Sequence, residues 1–306
     1  MSYIMQSFIS KIKESFRGEV RLDEPMSAHT SLKIGGPVDL MAFPEDPMSL
    51  QNLLVMAGKE KIPVFVLGGG TNLLVSESGI SGIAVSLRAF RNIRLAKGSD
   101  DKSATLFVEA GVPLGKLMSF AKENGYSGIE PLTGIPGTFG GAVYMNAGSF
   151  GTEIKDVIVS VAVMNMEGRI VILGKDKLQF TYRSSNLSDD LIILSANILL
   201  KKDAPGAVAA RIKEFIGKKS VTQPLGEASA GCVFKNPEGD AAGRLIDAAG
   251  CKEMRIGDAE VSTVHANFFV NKGKATAKDF LELMNIVKAK VEEQSGVALM
   301  PEIKIV

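Results

Sequence analysis

Cys232 lies in a run of small residues, Ser229-Ala230-Gly231-Cys232-Val233-Phe234-Lys235-Asn236-Pro237. A thiol there could give or take a proton, and Lys235 places a cation three residues on, a setting that makes thiols reactive. A buried, inert thiol is the commoner fate of a lone cysteine. Cys251, behind the helical pattern of Leu245, Ile246 and Ala249, fits that plainer description. Arg183 sits within Phe180-Thr181-Tyr182-Arg183-Ser184-Ser185. A fixed positive charge among small hydroxyl residues could face an oxyanion, although a solvated surface arginine suits the same residues. Glu302 follows Pro301 near the end of the sequence, on a pattern where a carboxylate is ordinarily solvated.

Two further segments offer chemistry through bare backbone. In Leu67-Gly68-Gly69-Gly70-Thr71-Asn72-Leu73-Leu74-Val75, three glycines let main chain approach a ligand with no Cβ between them. Consecutive N–H groups can then form an anion-binding nest, and Thr71 and Asn72 add side-chain donors. A tight turn between strands accounts for the same glycines. Neither the Gly-Lys-Ser/Thr phosphate loop nor Gly-x-Gly-x-x-Gly is present there. The second segment, Pro131 to Gly148, reads PLTGIPGTFGGAVYMNAG. Its glycines and prolines exclude a regular helix or central strand. Proline fixes the path and glycine opens it, which suits a rigid loop pressed against a flat or phosphorylated ligand. Two such loops point to a dinucleotide.

These residues need elements to hold them, and helix and strand signals alternate along the chain. Asp46-Pro47 opens a helix with Leu50, Leu53, Leu54 and Ala57 on one face. Val64 to Leu67 is a short strand leading into the glycines. Leu114, Leu117, Met118 and Ala121 mark a second helix that stops near Gly125. Val157 to Leu173 is β-branched and broken by Glu167-Gly168, a hairpin. Leu191 to Leu200 reads as a buried strand. A composition shift at Lys201 to Gly206 resembles a lobe boundary, followed by a helix carrying Val208, Ile212, Phe215 and Ile216. Thr276 to Asp279 matches a capping box opening a helix with Phe280, Met284, Val287 and Val291. Ala298 to Val306 alternates as a terminal strand, with Ile303 and Ile305 opposite Glu302 and Lys304. Near Met1, a helical stripe of Ile4, Phe8, Ile12 and Phe16 is interrupted by charges, unlike a signal peptide.

Composition narrows the partners. With 306 residues, two or three modest lobes are expected. A net charge of +1 and no tryptophan argue against nucleic-acid and anionic-membrane surfaces. The two cysteines form no CxxC pair and suggest a reducing compartment. No segment is apolar enough over a sufficient length to span a bilayer. No tandem repeat is visible.

Taken together, His29-Thr30-Ser31-Leu32-Lys33-Ile34-Gly35-Gly36, the LGGGTNLLV and GIPGTFGGAVYMNAG segments, Tyr182-Arg183, SAGCVFKNP and His265-Ala266-Asn267-Phe268-Phe269-Val270-Asn271 resemble the bacterial UDP-N-acetylenolpyruvoylglucosamine reductases. The likeness runs from about His29 to the C-terminus. It implies an α+β fold: a vanillyl-alcohol-oxidase-type FAD-binding domain of two α+β subdomains, and a C-terminal α+β substrate-binding domain. The expected spans are 1–90 and 91–202 for the FAD subdomains, 203–298 for the substrate domain and 299–306 for a strand returning to the active site.

The resemblance also assigns residues. Arg183, Cys232 and Glu302 would be catalytic, with Cys232 as proton donor where the family more often has serine. FAD, held without a covalent bond, would contact Gly35, Gly68, Gly69, Gly70, Thr71, Asn72, Gly134, Ile135, Pro136, Gly137, Gly140, Gly141, Ala142, Asn146 and Ala147. Tyr182, Lys235 and Asn236 would bind the UDP-sugar substrate. NADPH would be the co-substrate and no metal is implied. The setting would be cytoplasmic peptidoglycan precursor synthesis, serving cell-wall biogenesis, cell shape and division. No nucleic-acid, membrane or obligate protein partner is implied. The segment from Arg183 to Leu191 is short and lacks tyrosine, as in the shorter-loop branch of the family. Asp258 stands where glycine is more usual. Two rival readings are an FAD-dependent oxidase on the same scaffold and a non-catalytic sugar-nucleotide-binding protein. The oxidase relatives often tether flavin through His or Cys. Here only His29 and His265 are available, and neither lies in a glycine loop.

Overall fold

The computed structural model of the chain describes residues 2–306, and Met1 lies outside them. The polypeptide forms two compact units. One comprises Met1–Asp23, Asp39–Gly69 and Ser81–Gly217; the other comprises Glu24–Val38, Gly70–Ile80 and Lys218–Val306.

The first unit holds two larger sheets and two two-stranded ones. The smaller of the two larger sheets has strand order Gly18–Pro25, Pro37–Pro44, Ile80–Ser86, Val64–Leu67, with the last two strands parallel. The helix Pro47–Glu60 belongs with it and starts as the sequence suggests: the Asp46 side chain accepts from the Ser49 N–H at 2.8 Å, with Pro47 in the first turn. Its Leu50, Leu53, Leu54 and Ala57 are buried. The N-terminal helix Ser2–Ile12 buries Met5, Phe8 and Ile12, whereas Ile4 is 58% exposed. The stripe is therefore shifted by one residue from the reading that included Ile4. The helix also ends before Phe16.

The larger sheet is antiparallel, in the order Ile170–Gly174, Ile158–Asn165, Leu191–Lys202, Ser103–Glu109, Ile93–Leu95, with Tyr126–Ser127 pairing the far end of the long strand. The expected hairpin turns at Glu167-Gly168, where Gly168 has φ +80. The helix Leu114–Asn124 ends on Gly125 in the left-handed region.

The first unit continues past the composition shift at Lys201–Gly206, through most of the helix Pro205–Thr222. Side chains hold it there. Arg211 donates to Glu130 at 2.9 Å, Ser127 at 3.1 Å and Asp203 at 2.6 Å, and Val208 is fully buried. Composition registered the chain leaving a strand, whereas the packing changes more than ten residues later.

The second unit has a sheet in the order Ala228–Cys232, Phe268–Asn271, Ala259–Val261, Arg255–Ile256. It is covered by the helices Ala242–Ala248 and Ala277–Ser295. Phe269 stacks between Phe234 and Phe280, with ring centroids 5.9 Å and 5.6 Å away. The long helix opens with the expected capping box: Thr276 Oγ1 accepts from the Asp279 N–H at 3.0 Å, and Asp279 accepts from the Thr276 N–H at 2.9 Å. Only Lys304–Ile305 of the C-terminal segment forms a strand, parallel to Leu73–Leu74. Ile303 is buried and Ile305 is 46% exposed. Asp258 has a structural role: its carboxylate accepts from the Lys274 N–H at 2.8 Å and pairs with Arg255, closing the turn after Asn271.

Candidate functional site

In the first unit the start of the first glycine-rich segment, through Gly69, lies beside the second. A Cβ on Gly69 would come within 2.5 Å of Gly137 Cα. Their backbones thus approach at a distance that only glycine permits. The second segment is laced to the chain at 110–114. Leu114 N–H donates to Gly137 at 3.0 Å, Phe139 N–H to Val112 at 2.8 Å and Gly140 N–H to Ala110 at 2.8 Å. Gly140 is required here, since its Cβ would sit 2.8 Å from that of Ala110. Thr138 caps the six-residue helix Phe139–Tyr144, accepting from the Gly141 N–H at 3.4 Å, which corrects the expectation that glycine and proline exclude a helix throughout this segment. Ala142 is buried in this helix. Gly68, Gly69, Gly134 and Pro136 are exposed, and Ile135, Gly137 and Ala147 are partly so. Main chain with no side chain over it is what a phosphorylated, flat cofactor requires.

Arg183 lies in the same unit. It is at the tip of a two-residue turn in the hairpin whose pairs are Phe180 with Ser185 and Thr181 with Ser184. Its φ is +56, uncommon for a residue with a side chain. The guanidinium Nη2 donates to the Gly148 carbonyl at 3.0 Å and lies over the Tyr182 ring at 4.9 Å. Tyr182 itself is 43% exposed.

Asn146, expected at the cofactor, is fully buried. Its amide hydrogens go to Glu153 Oε2 at 3.0 Å and to the Thr181 carbonyl at 2.9 Å, and its Oδ1 accepts from the Lys155 N–H at 3.2 Å. Both donors of this side chain are thus taken by the protein. Burial alone would raise the Glu153 carboxyl, but the Lys155 and Asn146 donors and the charges of Lys155 and Arg183 hold it below the usual carboxylate range. Tyr144 is pushed up to about 12 by burial and by its hydrogen bond to Asp189.

In the second unit, three segments far apart in sequence meet around Cys232. Glu302 N–H donates to the Val233 carbonyl at 2.8 Å, and Lys235 N–H to the Met300 carbonyl at 2.8 Å. Phe234 pairs with Pro301. The segment bearing Cys232 and the segment bearing Glu302 therefore run side by side. Asn72 joins them, donating from Nδ2 to the Glu302 carbonyl at 3.0 Å. Cys232 and Glu302 are both partly exposed. Asn236 accepts from the Ala242 N–H at 3.0 Å, which opens the following helix. Gly70 has φ +64 and abuts the His29 carbonyl, and Gly35 fits between Met26 and Val75.

Some positioning residues carried no role in the sequence reading. Asn267 is buried and clamps Phe234, accepting from its N–H at 2.9 Å and donating to its carbonyl at 2.8 Å. Ser31 Oγ donates to the Ser229 carbonyl at 2.6 Å. Both lie in the quoted motifs, so the signal was a polar residue amid apolar ones with no stated partner. Cys251 is buried, and burial pushes its thiol up, in line with an inert structural residue. His265 packs edge-on to Phe268 and burial pushes it down. Among the described residues no cluster of His, Cys, Asp and Glu is placed to hold a metal ion, and no helix is long and apolar enough to cross a membrane.

Comparison with known proteins places this geometry. Residues 38–174 match the FAD binding domain family, and residues 223–306 match the C-terminal domain of UDP-N-acetylenolpyruvoylglucosamine reductase. The UDP-N-acetylenolpyruvoylglucosamine reductase of Caldanaerobacter subterraneus is 43% identical, over 97% of this chain and 97% of its own. That of Trichlorobacter lovleyi is 40% identical, over 98% and 97%. The crystal structure of the Thermus caldophilus reductase covers 95% of this chain and 99% of its own, with 35% identity and a TM-score of 0.80. The fold is thus the expected vanillyl-alcohol-oxidase-type FAD-binding domain joined to the C-terminal domain of that enzyme.

Proposed function

Because the chain belongs to the UDP-N-acetylenolpyruvoylglucosamine reductase family, we propose that it reduces UDP-N-acetylglucosamine enolpyruvate to UDP-N-acetylmuramate, with non-covalent FAD as cofactor and NADPH as reductant, in peptidoglycan precursor synthesis. The chemistry FAD supplies when bound is the relay of a hydride from NADPH to the enolpyruvyl group. The exposed backbone at Gly68, Gly69 and Gly134, beside a crossing that admits only glycine, fits that cofactor.

The residues of the chain supply the proton and the field. Cys232 Sγ holds the proton that the carbon beside the substrate carboxylate must receive. Arg183 presents a permanent positive charge to the negative charge that develops there. Glu302 orients the same group. Tyr182, Lys235 and Asn236 contact the sugar nucleotide. In this reading residues 1–90 and 91–202 hold FAD, residues 203–298 hold substrate, and residues 299–306 carry Glu302 back to Cys232. The reaction is cytoplasmic in this reading, and no nucleic acid, membrane or obligate protein partner takes part.

The observation that carries the proposal is the 2.8 Å bond from Glu302 N–H to the Val233 carbonyl, which sets the carboxylate-bearing segment against the thiol-bearing one. The test is Cys232→Ala followed through both halves of the reaction. Bleaching of the flavin by NADPH should persist, while recovery of colour with the enolpyruvyl substrate should slow by roughly a hundredfold or more. Turnover near that of the unaltered protein would remove Cys232 from this role.

A further inference from the structure

We propose that Asn146 and Glu153 are positioning residues that fix the direction of the Arg183 guanidinium. This rests on the reading of Arg183 as the charge that faces substrate.

Five observations in the first unit carry it. Arg183 occupies the left-handed backbone region at φ +56, a conformation that persists only where the surroundings impose it. Its hairpin is held on both sides. Asn146 Nδ2 donates to the Thr181 carbonyl at 2.9 Å, and Ser185 Oγ donates to the Tyr144 carbonyl at 2.7 Å. The other amide hydrogen of Asn146 goes to Glu153 Oε2 at 3.0 Å, so one buried amide joins the turn to a carboxylate.

That carboxylate attracts Arg183 electrostatically and pairs with Lys155. Finally, Gly148 leaves the space in which the guanidinium lies. A Cβ there would come within 2.8 Å of Glu153 Cγ and 3.1 Å of Arg183 Nη1, and the Gly148 carbonyl accepts from Nη2 at 3.0 Å. A guanidinium anchored along one edge by a carbonyl is held in a set direction. Small errors of direction at a reacting centre are costly in rate.

The test uses the FAD-loaded full chain and four variants: Asn146→Ala, Glu153→Gln, Arg183→Ala and the double variant Glu153→Gln/Arg183→Ala. Flavin reduction by NADPH and reoxidation by the enolpyruvyl sugar nucleotide are timed separately, and substrate binding to the oxidised protein is measured by calorimetry. Asn146→Ala and Glu153→Gln should each slow reoxidation by about tenfold to a hundredfold, leaving reduction unchanged. Glu153→Gln should add no further loss once Arg183 is alanine. Losses that multiply in the double variant, equal slowing of both halves, or no slowing at all would overturn the inference. If Asn146→Ala does not fold, the near-isosteric Glu153→Gln and the double variant decide alone. Reoxidation and substrate binding unaffected by Arg183→Ala would instead overturn the reading of Arg183 itself.

Discussion

The side chain of Asn72 donates to the main-chain carbonyl of Glu302 at 3.0 Å across 230 residues of sequence, and the Asn72 carbonyl accepts from the Lys304 N–H at 3.1 Å. The polar end of the LGGGTN segment thus holds the C-terminal segment in register beside Cys232. This relationship predicts that Asn72→Ala slows the substrate half-reaction by about tenfold, because one positioning hydrogen bond is lost. Asn72→Asp should be worse, since a carboxylate has no hydrogen to give and faces a carbonyl oxygen. Rapid-mixing absorbance of the two half-reactions checks both.

Cys232 in place of the commoner serine has a consequence in pH. Thiols ionise in the mildly alkaline range and hydroxyls do not. A thiol that must be protonated to act loses its proton as pH rises, so the substrate half-reaction should fall on the alkaline side. Cys232→Ser should keep substantial activity and lose that alkaline limb. Rates of flavin reoxidation between pH 6 and about 10 measure it. Identical profiles would show that the thiol does not titrate in the rate-determining step.

Gly69→Ala places a Cβ 2.5 Å from Gly137 Cα, backbone against backbone, where no side chain can rotate away. The two loops must part. A stability loss of about 1–3 kcal/mol is expected, as for other overpacked sites, together with weaker FAD retention. Thermal unfolding and the flavin content of the purified variant report the two effects.

Glu130 gives an acid-side prediction. Burial alone would raise its carboxyl, but the Gly128 N–H, at 2.6 Å, together with Arg211 and Ser127, holds it below the ordinary 4.5. A group whose folded pKa lies below its unfolded value stabilises the protein above the unfolded value and loses that contribution as pH falls through the folded one. Stability should therefore drop below about pH 4.5, in part through Glu130. Glu130→Gln should cost roughly 1–3 kcal/mol at neutral pH and flatten that acid-side slope. Urea midpoints from pH 7 to pH 3 test it.

Much of the scaffold was legible because its signals are local. Asp46-Pro47, Gly125, Glu167-Gly168 and Thr276 to Asp279 each start or stop an element with chemistry contained in four residues or fewer, and each does so in the structure. The motifs led to the family for a similar reason, since their residue types are quoted in order along one chain. What stayed hidden is long-range. That Asn146 is buried and bonded to Thr181, or that Arg211 keeps the helix after Lys202 with the first unit, depends on partners 35 and 81 residues away. The terminal strand read over Ala298 to Val306 is short in the structure, because alternation marks a pattern and not a pairing partner, and only Lys304 and Ile305 pair there.

The central claim is that this chain carries a reducing equivalent from NADPH through bound FAD to an enolpyruvyl sugar nucleotide. An anaerobic titration of the purified protein with NADPH, followed by UDP-N-acetylglucosamine enolpyruvate, tests it most directly. The account predicts that the flavin absorbance near 450 nm (about that of any oxidised flavin) bleaches with NADPH and returns with the sugar nucleotide, and that denaturation then releases the flavin. A protein that takes up no FAD, or bleached flavin that only oxygen restores, would contradict it.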